Sequence, residues 1–251
     1  MTTEFNIPYG KLSEQKLDYY KTENAESSPL FVYFHGGGLE CGDRSNGTPI
    51  AFEYLANRGI SVVSADYRMY PSAHFPDFLT DSAECVAWCV KNLSYSELYV
   101  GGQSAGGYIS MMLAFDKRYL AAHGIDCADK NQIAGFYLDA GQPTVHYNVL
   151  RERGLDTRLI RVDEAAPVYF IEEPAHPELL PRYEITVSDN DMVCRLEQNM
   201  MLRRTMLHVG YPEDKVKLVI MEGYTHCGYG GVIDEDGLSK YGKMVEKFIR
   251  G

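Results

Sequence analysis

The chain has 251 residues, of which 45% are hydrophobic and 24% charged; this composition suits one globular domain and excludes disordered, collagen-like and coiled-coil proteins. The net charge of −11 and the lack of any block rich in lysine and arginine argue against a nucleic-acid partner. No apolar stretch approaches the roughly 18 residues of a membrane span, which argues against a membrane partner.

Short, almost continuous apolar runs alternate along the chain with longer amphipathic windows. The runs predict strands that are buried on both faces of a mainly parallel sheet: Leu30–Phe34, Ile60–Ala65, Leu98–Val100, Ile133–Leu138, Tyr183–Val187 and Val216–Met221. The windows predict helices: Pro49–Asn57, Asp77–Asn92, Gly107–Phe115, Arg195–Val209 and Ser239–Arg250. Leu17–Tyr20 is a candidate antiparallel edge strand. The alternation predicts an α/β fold with helices on both faces of the sheet.

One long segment interrupts this alternation. No strand is predicted in the roughly forty residues of Gln142–Arg182, and connections of that length are usually functional. We expect it to be a small cap inserted into a single domain that spans residues 1–251.

Six cysteines are too few for a disulfide framework in a chain of this length. The first ten residues have neither the basic start nor the apolar run of a secretory signal. We therefore expect reduced thiols and a cytoplasmic protein. No CxxC or HxxxH spacing supplies ligands for a metal ion, so no metal site is predicted.

The strongest chemical signal is Gly102-Gln103-Ser104-Ala105-Gly106, a G-x-S-x-G pattern between a predicted strand and a predicted helix. A turn this sharp strains the backbone of the serine and leaves no room for side chains two residues before and after it. Ser104 would then stand above the sheet at a helix N-terminus, where the helix dipole favours a developing negative charge. A glycine-rich turn with an ordinary serine is the alternative.

A second signal is His35-Gly36-Gly37-Gly38, which directly follows the predicted strand Leu30–Phe34. Successive glycines let backbone N–H groups face a ligand, so this loop and the N–H of Ala105 could form an oxyanion hole. A phosphate-binding loop is the rival interpretation, but neither GxxxxGK[ST] nor GxGxxG occurs. His35 itself is expected to anchor the loop.

A serine nucleophile needs a base, and the base needs an orienting carboxylate. Two histidines follow the predicted strand Tyr183–Val187. His208 lies in a helical window, whereas His226 follows a strand at the carboxyl edge of the sheet, where open α/β sheets bind ligands, and it is predicted as the base. Asp189 and Asp191 are the candidate acids. Asp191 is favoured because it lies nearer the next helix, which its carboxylate could cap.

The order HGGG, GxSxG, Asp and His resembles that of the α/β-hydrolase superfamily, more narrowly the hormone-sensitive-lipase-like esterases and the related small bacterial acetylesterases. The similarity extends over nearly the whole chain, including Ser64–Pro71, Phe75–Asp77 and the segments Tyr9-Gly10 and Lys16–Tyr19. The resemblance implies an α/β-hydrolase fold, with Ser104 as nucleophile, Asp191 as acid, His226 as base, and Gly37, Gly38 and Ala105 as oxyanion donors. It also implies that Asp66 and Arg68 hold the neighbouring loop.

Three features depart from the family's pattern. Gln103 occupies a position where the lipase-like group usually has an acid. The acid motif is Asp191-Met192-Val193 instead of Asp-Pro-Leu. The long N-terminal cap of the larger relatives has no counterpart in this sequence, so a lid would come mostly from Gln142–Arg182.

These residues predict a serine carboxylic-ester hydrolase that needs no cofactor and whose partner is a small-molecule ester. The small cap favours short acyl groups, above all acetate, on small soluble alcohols, and the many tyrosines would suit acetylated sugars. An amidase such as an arylformamidase, or a peptidase, would use the same triad. A non-catalytic ligand-binding relative is the alternative from another class. Homo-oligomerisation and the substrate-binding residues are left open.

The predicted cap mixes apolar and arginine side chains, and its prolines exclude one long helix. We expect a short helix near Tyr147–Gly154 that leans over Ser104. Val149 and Leu150 would then line a pocket too small for long acyl chains.

Overall fold

The computed structural model describes residues 1–45 and 49–251. In this part of the chain eight strands form one sheet: β1 (Thr2–Pro8), β2 (Lys16–Lys21), β3 (Leu30–Phe34), β4 (Ser61–Ala65), β5 (Leu98–Gln103), β6 (Gly135–Asp139), β7 (Arg182–Asn190) and β8 (Val216–Thr225). Their spatial order is β1-β2-β4-β3-β5-β6-β7-β8. Strands β3 to β8 are parallel, while β2 runs antiparallel to both of its neighbours. The predicted α/β class with a mostly parallel sheet is confirmed.

Helices cover both faces of this sheet, as the alternation predicts. They are α1 (Pro49–Asn57), α2 (Asp77–Asn92), α3 (Ala105–Phe115), α4 (Lys117–Ala121), α5 (Tyr147–Glu152), α6 (Arg195–His208) and α7 (Lys240–Arg250). Helices α1 and α7 pack into the core on one face, and α2, α3 and α6 into the larger core on the other. Within the described ranges, no helix combines the length and apolar character needed to cross a membrane.

The buried faces of the helices follow from the spacing of their apolar residues. Helix α7 buries Tyr241, Val245, Phe248 and Ile249, one stripe at three- and four-residue steps. Helix α3 is buried at every position, because it lies beneath the other elements of its face. This complete burial keeps the N-terminus of α3, and thus the residue that precedes it, in a fixed place.

The N-terminal edge of the sheet differs from the prediction. Leu17–Tyr20 lies within β2, which pairs with β4 on one side and β1 on the other, so its prediction as an edge strand is wrong. The edge is β1, whose side chains are mostly exposed and therefore leave no apolar run in the sequence. The C-terminal strands are longer than predicted. The extra residues of β7 and β8 carry the chain up to the two predicted site loops.

The segment 142–182 contains α5 and two short 3₁₀ turns, Pro167–Phe170 and Pro177–Leu179. Several of its apolar side chains are buried in the larger core, among them Val145, Val149, Leu150 and Ala165. The hydroxyl of Tyr108 on α3 donates to the carbonyl oxygen of Ala165 at 2.8 Å. The segment is therefore attached to the main fold along its length.

Candidate active site

Ser104 lies between β5 and α3 with a φ of 58°, a conformation that side chains rarely adopt. The adjacent glycines make this turn possible. A Cβ on Gly106 would lie 1.8 Å from the carbonyl oxygen of Phe34, and one on Gly102 would lie 2.4 Å from the same atom. The N–H of Ser104 donates to the carbonyl oxygen of Asp139 at 2.8 Å. The serine is thus held between the ends of β3, β5 and β6.

The structure brings the three predicted triad residues together. The Oγ of Ser104 lies 2.7 Å from Nε2 of His226, and Nδ1 of His226 lies 2.7 Å from Oδ1 of Asp191. The side chain of Asp191 is 1% exposed and that of His226 is 25% exposed. The hydrogen-bonded chain therefore runs from a buried carboxylate to a histidine that solvent can reach.

The charge of Asp191 is stabilised from two sides. Burial opposes its ionisation, but the hydrogen bond from His226, the electrostatic attraction between the two side chains and the N–H of Met192 lower its pKa below the usual value. An ionised carboxylate at Nδ1 fixes the tautomer in which Nε2 has no proton. His226 is then able to accept the hydroxyl proton of Ser104.

Asp189 has a different place in the same turn. It is exposed and accepts from the N–H of Gly223 at 2.9 Å, so it ties the end of β7 to β8. The structure therefore brings Asp191, and not Asp189, to His226. The reason given for preferring Asp191 is wrong, because α6 begins at Arg195 with Cys194 at its N-cap, and Asp191 caps nothing.

The glycine loop lies against helix α5. Gly37 and Gly38 have φ values of 113° and 66°, and a Cβ on Gly38 would lie 2.0 Å from the hydroxyl of Tyr147. The side-chain amide of Asn148 donates to the carbonyl oxygen of Gly38 at 2.7 Å, which fixes the orientation of that peptide. Within residues 1–45 and 49–251, the N–H groups of Gly37, Gly38 and Ala105 donate to no other protein group. All three are available to an oxygen of a ligand.

Contacts between side chains hold the start of the glycine loop in place. His35 is buried and stacks on Tyr67 with ring centroids 4.4 Å apart, and the Tyr67 hydroxyl donates to the His35 carbonyl oxygen at 2.8 Å. Burial lowers the pKa of His35, so the ring is neutral. Asp66 accepts from the backbone N–H of Arg44 at 2.6 Å, whereas Arg68 pairs with a carboxylate of α2. These contacts agree with an anchoring role for this region.

Sequence reasoning missed a buried carboxyl group beside the nucleophile. The side-chain amide of Gln103 donates to Oδ2 of Asp139 at 3.0 Å, and the hydroxyl of Tyr229 donates to Oδ1. Burial raises the pKa of Asp139 to about 7, although both hydrogen bonds act in the opposite direction. The one sequence signal was the amide of Gln103 at a position where the family usually has an acid.

A cavity of about 470 Å³ is lined in part by Met192, which follows Asp191, and by Tyr147, which packs against Gly38. Its lining comes from α5, the cap segment and the start of α6: Gln142, Tyr147, Thr157, Arg158, Leu159, Ile160, Met192, Val193, Cys194, Arg195 and Gln198. Val149 and Leu150 are not part of this lining and are fully buried in the core. The helix predicted near Tyr147–Gly154 is present as α5, but the prediction that these two side chains line the pocket is wrong.

Comparison with known proteins agrees with this architecture. Residues 31–137 match a family model described as the alpha/beta hydrolase fold. A truncated carbohydrate esterase from gut microbiota superposes with a TM-score of 0.77 at 16% identity, over 100% of this chain and 95% of that one. The chain has the α/β-hydrolase fold. The propionate-bound esterase 2 of Thermogutta terrifontis gives a TM-score of 0.74 at 21% identity, over 99% of this α/β-hydrolase and 93% of that chain.

Curated relatives of this α/β-hydrolase match over shorter stretches. Carboxylesterase NlhH of Mycobacterium tuberculosis is 33% identical over 101 residues, which are 38% of this chain and 32% of that protein. Kynurenine formamidase of Salmo salar is 26% identical over 203 residues, which are 78% of this chain and 63% of that protein. The chain thus spans about a third of the carboxylesterase. The prediction of the fold is confirmed, and these matches support the predicted superfamily.

The buried carboxyl group of Asp139 generates a prediction about stability. Because its pKa is about 7 in the folded protein and lower when unfolded, its stabilising contribution is present below about pH 4 and is lost as the pH rises through 7. Asp139→Asn removes this titration. The Tm of the variant minus that of the native protein should increase from pH 5 to pH 8, by about 5 °C or more for a linkage of a few kcal/mol. A Tm difference that is flat across this range would contradict the prediction.

Proposed function

We propose that this α/β-hydrolase is a serine carboxylic-ester hydrolase that works through an acyl-enzyme. The observation that carries the proposal is the pair of 2.7 Å contacts that join Ser104, His226 and Asp191, beside the three unpaired N–H groups of the oxyanion site. The family match supports it, since residues 31–137 include the glycine loop and the serine turn, and so does the likeness to a carboxylesterase.

In the first step the Oγ of Ser104 attacks the carbonyl carbon of the ester. Its proton moves to Nε2 of His226, and Asp191 stabilises the imidazolium that forms. The carbonyl oxygen becomes an oxyanion that accepts hydrogen bonds from the N–H groups of Gly37, Gly38 and Ala105. These donors are already oriented, so they stabilise the developing charge without reorganising.

In the second step the bond to the alcohol oxygen breaks, and Nε2 of His226 returns its proton to that oxygen. The acyl group is now attached to Ser104. Water then attacks the acyl carbon, gives its proton to His226, and releases the carboxylic acid as the proton returns to Oγ. The partial exposure of His226 supports this stage, because water has to reach its ring.

The triad proposal is tested by substitutions measured as kcat with 4-nitrophenyl acetate. Ser104→Ala and His226→Ala should each lower kcat by about 10⁴–10⁶, and the double variant by hardly more, since the residues act as a unit. Asp191→Asn should cost about 10⁴. Asp189→Asn, a matched change two residues away, should cost about tenfold or less.

Two outcomes would contradict this account. A Ser104→Ala variant that keeps a tenth of the native kcat would exclude Ser104 as the nucleophile. A larger loss in Asp189→Asn than in Asp191→Asn would exclude the assigned acid while leaving the serine mechanism intact.

For the substrate, we propose short acyl groups, above all acetate, on small soluble alcohols such as sugars. The cavity of about 470 Å³ is bounded by the cap segment, which limits the length of chain it can hold. The fold of a carbohydrate esterase and the tyrosine hydroxyl at the cavity wall support a polar alcohol. Six cysteines without a disulfide suit a reducing compartment, so we place the reaction in the cytoplasm.

The second candidate function is amide hydrolysis on the same triad. It is favoured by the likeness to the kynurenine formamidase of Salmo salar, whose alignment covers 78% of this chain. The same nucleophile, base and oxyanion donors would act on the carbonyl group of an amide. Direct comparison of N-formylkynurenine with acetyl esters decides between them.

A panel of 4-nitrophenyl esters from acetate to decanoate, with N-formylkynurenine and an aminoacyl anilide, tests the substrate proposal. We expect kcat/KM to be highest from acetate to butyrate and very low by decanoate, because each excess methylene changes discrimination by about 1–3 kcal/mol. For both amides we expect kcat/KM to be lower than for the acetyl ester.

Leu159→Ala, which enlarges the cavity, should move the optimum to longer chains. Val149→Ala, the matched change in the core, should lower stability and leave the profile unchanged. A flat profile or the reverse pattern would contradict the proposal.

A further inference from the structure

Asp139 lies outside the triad, yet its carboxyl group joins the two elements that carry the nucleophile and the base. Gln103, which donates to Oδ2 at 3.0 Å, directly precedes Ser104 at the end of β5. Tyr229, which donates to Oδ1, lies three residues after His226. The backbone oxygen of Asp139 also accepts the N–H of Ser104 at 2.8 Å. One residue at the end of β6 thus contacts both of the segments that carry the reacting pair.

In the part of the chain that the structure describes, the loop that carries His226 is attached to β7 on one side only, at Thr225, which pairs with Asn190 and whose carbonyl oxygen accepts from the Ser188 hydroxyl at 2.8 Å. Two tight turns flank the histidine: the N–H of Gly228 donates to the Thr225 carbonyl at 2.9 Å, and that of Gly230 donates to the Cys227 carbonyl at 2.9 Å. These bonds fix the shape of the loop but not its place on the sheet. After the histidine, the place of the loop on the sheet is set by the buried side chain of Tyr229 and by Gly230, where a Cβ would lie 3.0 Å from the amide nitrogen of Gln103.

A purely structural explanation accounts poorly for a carboxyl group at this point. Asp139 is fully buried, and its charged form is disfavoured by burial and by the carboxylates of Asp191 and Glu184. An apolar side chain of similar size commonly costs less at such a position. What a carboxyl group offers instead is two acceptors in one plane, which fix both donors at once.

We propose that Asp139 is a positioning residue, which holds the turn of His226 against the strand of Ser104 so that Nε2 stays within reach of Oγ. The proposal rests on the hydrolase function proposed above. It also accounts for Gln103: the acid that the family usually has before the serine is supplied here from the neighbouring strand, and the amide is its donor.

The test uses the full-length protein and compares kcat with KM for 4-nitrophenyl acetate. Tyr229→Phe removes one link, and Asp139→Ala removes both. Each should lower kcat by about tenfold to a hundredfold with little change in KM, because a displacement of about 1 Å in the reacting pair costs about a hundredfold. Asp139→Asn should restore most of the kcat, since an amide can accept from Tyr229 and donate to a rotated Gln103.

The matched control is Tyr241→Phe, a tyrosine buried in the same layer whose hydroxyl has no hydrogen-bond partner among the described residues. Its kcat should stay within about twofold of the native value. The double variant Tyr229→Phe/Asp139→Ala should be no slower than Asp139→Ala, because both changes break the same link. A folded Asp139→Ala that keeps its kcat, or Tyr229→Phe indistinguishable from Tyr241→Phe, would overturn the proposal.

A second readout separates this inference from the proposed activity. The proton on Nδ1 of His226, shared with Asp191, should give a far-downfield NMR signal in the native protein whether or not an ester is cleaved. In Tyr229→Phe and Asp139→Ala this signal should broaden through faster solvent exchange, and in Tyr241→Phe it should not. An unchanged signal in all three variants would exclude the positioning role. A native protein that shows the signal but hydrolyses no ester would instead contradict the proposed function.

Discussion

The close approach of three chain segments at the carbonyl oxygen of Phe34 is the constraint on which the site depends. Side chains at Gly102 or Gly106 would each collide with this single atom. Because both are glycine, β3, β5 and α3 meet closely enough for Ser104 to take its strained turn. The same atom ends the strand from which the glycine loop departs. A Cβ on Gly36 would lie 3.3 Å from the Cβ of Ser104, so the proposed oxyanion donors and the proposed nucleophile are brought together where these segments cross.

The sequence predicts well those parts of the site that short local motifs mark. Glycine loops and turns mark backbone geometry that few other residues permit, so Gly37, Gly38 and Ser104 can be located without a structure. Apolar runs locate β3 to β8 because those strands are buried on both faces. Apolar runs do not predict strand β1, because its side chains are mostly exposed. Its place in the sheet is set by pairing with β2.

Such reasoning does not predict contacts between residues that are far apart in the sequence. Asp191 is the carboxylate that reaches His226, but helix capping is not the cause: the extension of β7 to Asn190 and a backbone irregularity between Ser188 and Asn190 set its direction. Asp139 carries no motif, since it is one polar residue at the end of an apolar strand. Its partners, Gln103 and Tyr229, are 36 and 90 residues away along the chain.

The site concentrates features that oppose folding. Ser104 has a positive φ, Asp139 is a buried carboxyl group, and Arg195 is 4% exposed with neutral oxygens of Ala140 and Gln142 as hydrogen-bond acceptors. Each would be replaceable at a gain in stability if folding alone mattered. Their convergence at the carboxyl edge of β5, β6 and β7 is the physical signature of a site organised for chemistry.

The central claim is that Ser104 is a nucleophile activated by His226, and covalent labelling tests it most directly. A fluorophosphonate should modify the native protein once per chain, and mass spectrometry of the digested product should place the adduct on the peptide that contains Ser104. Under the same conditions His226→Ala should react slower by about 10³ or more, because the serine loses its base. Modification at another residue, or an equal rate in His226→Ala, would contradict the account.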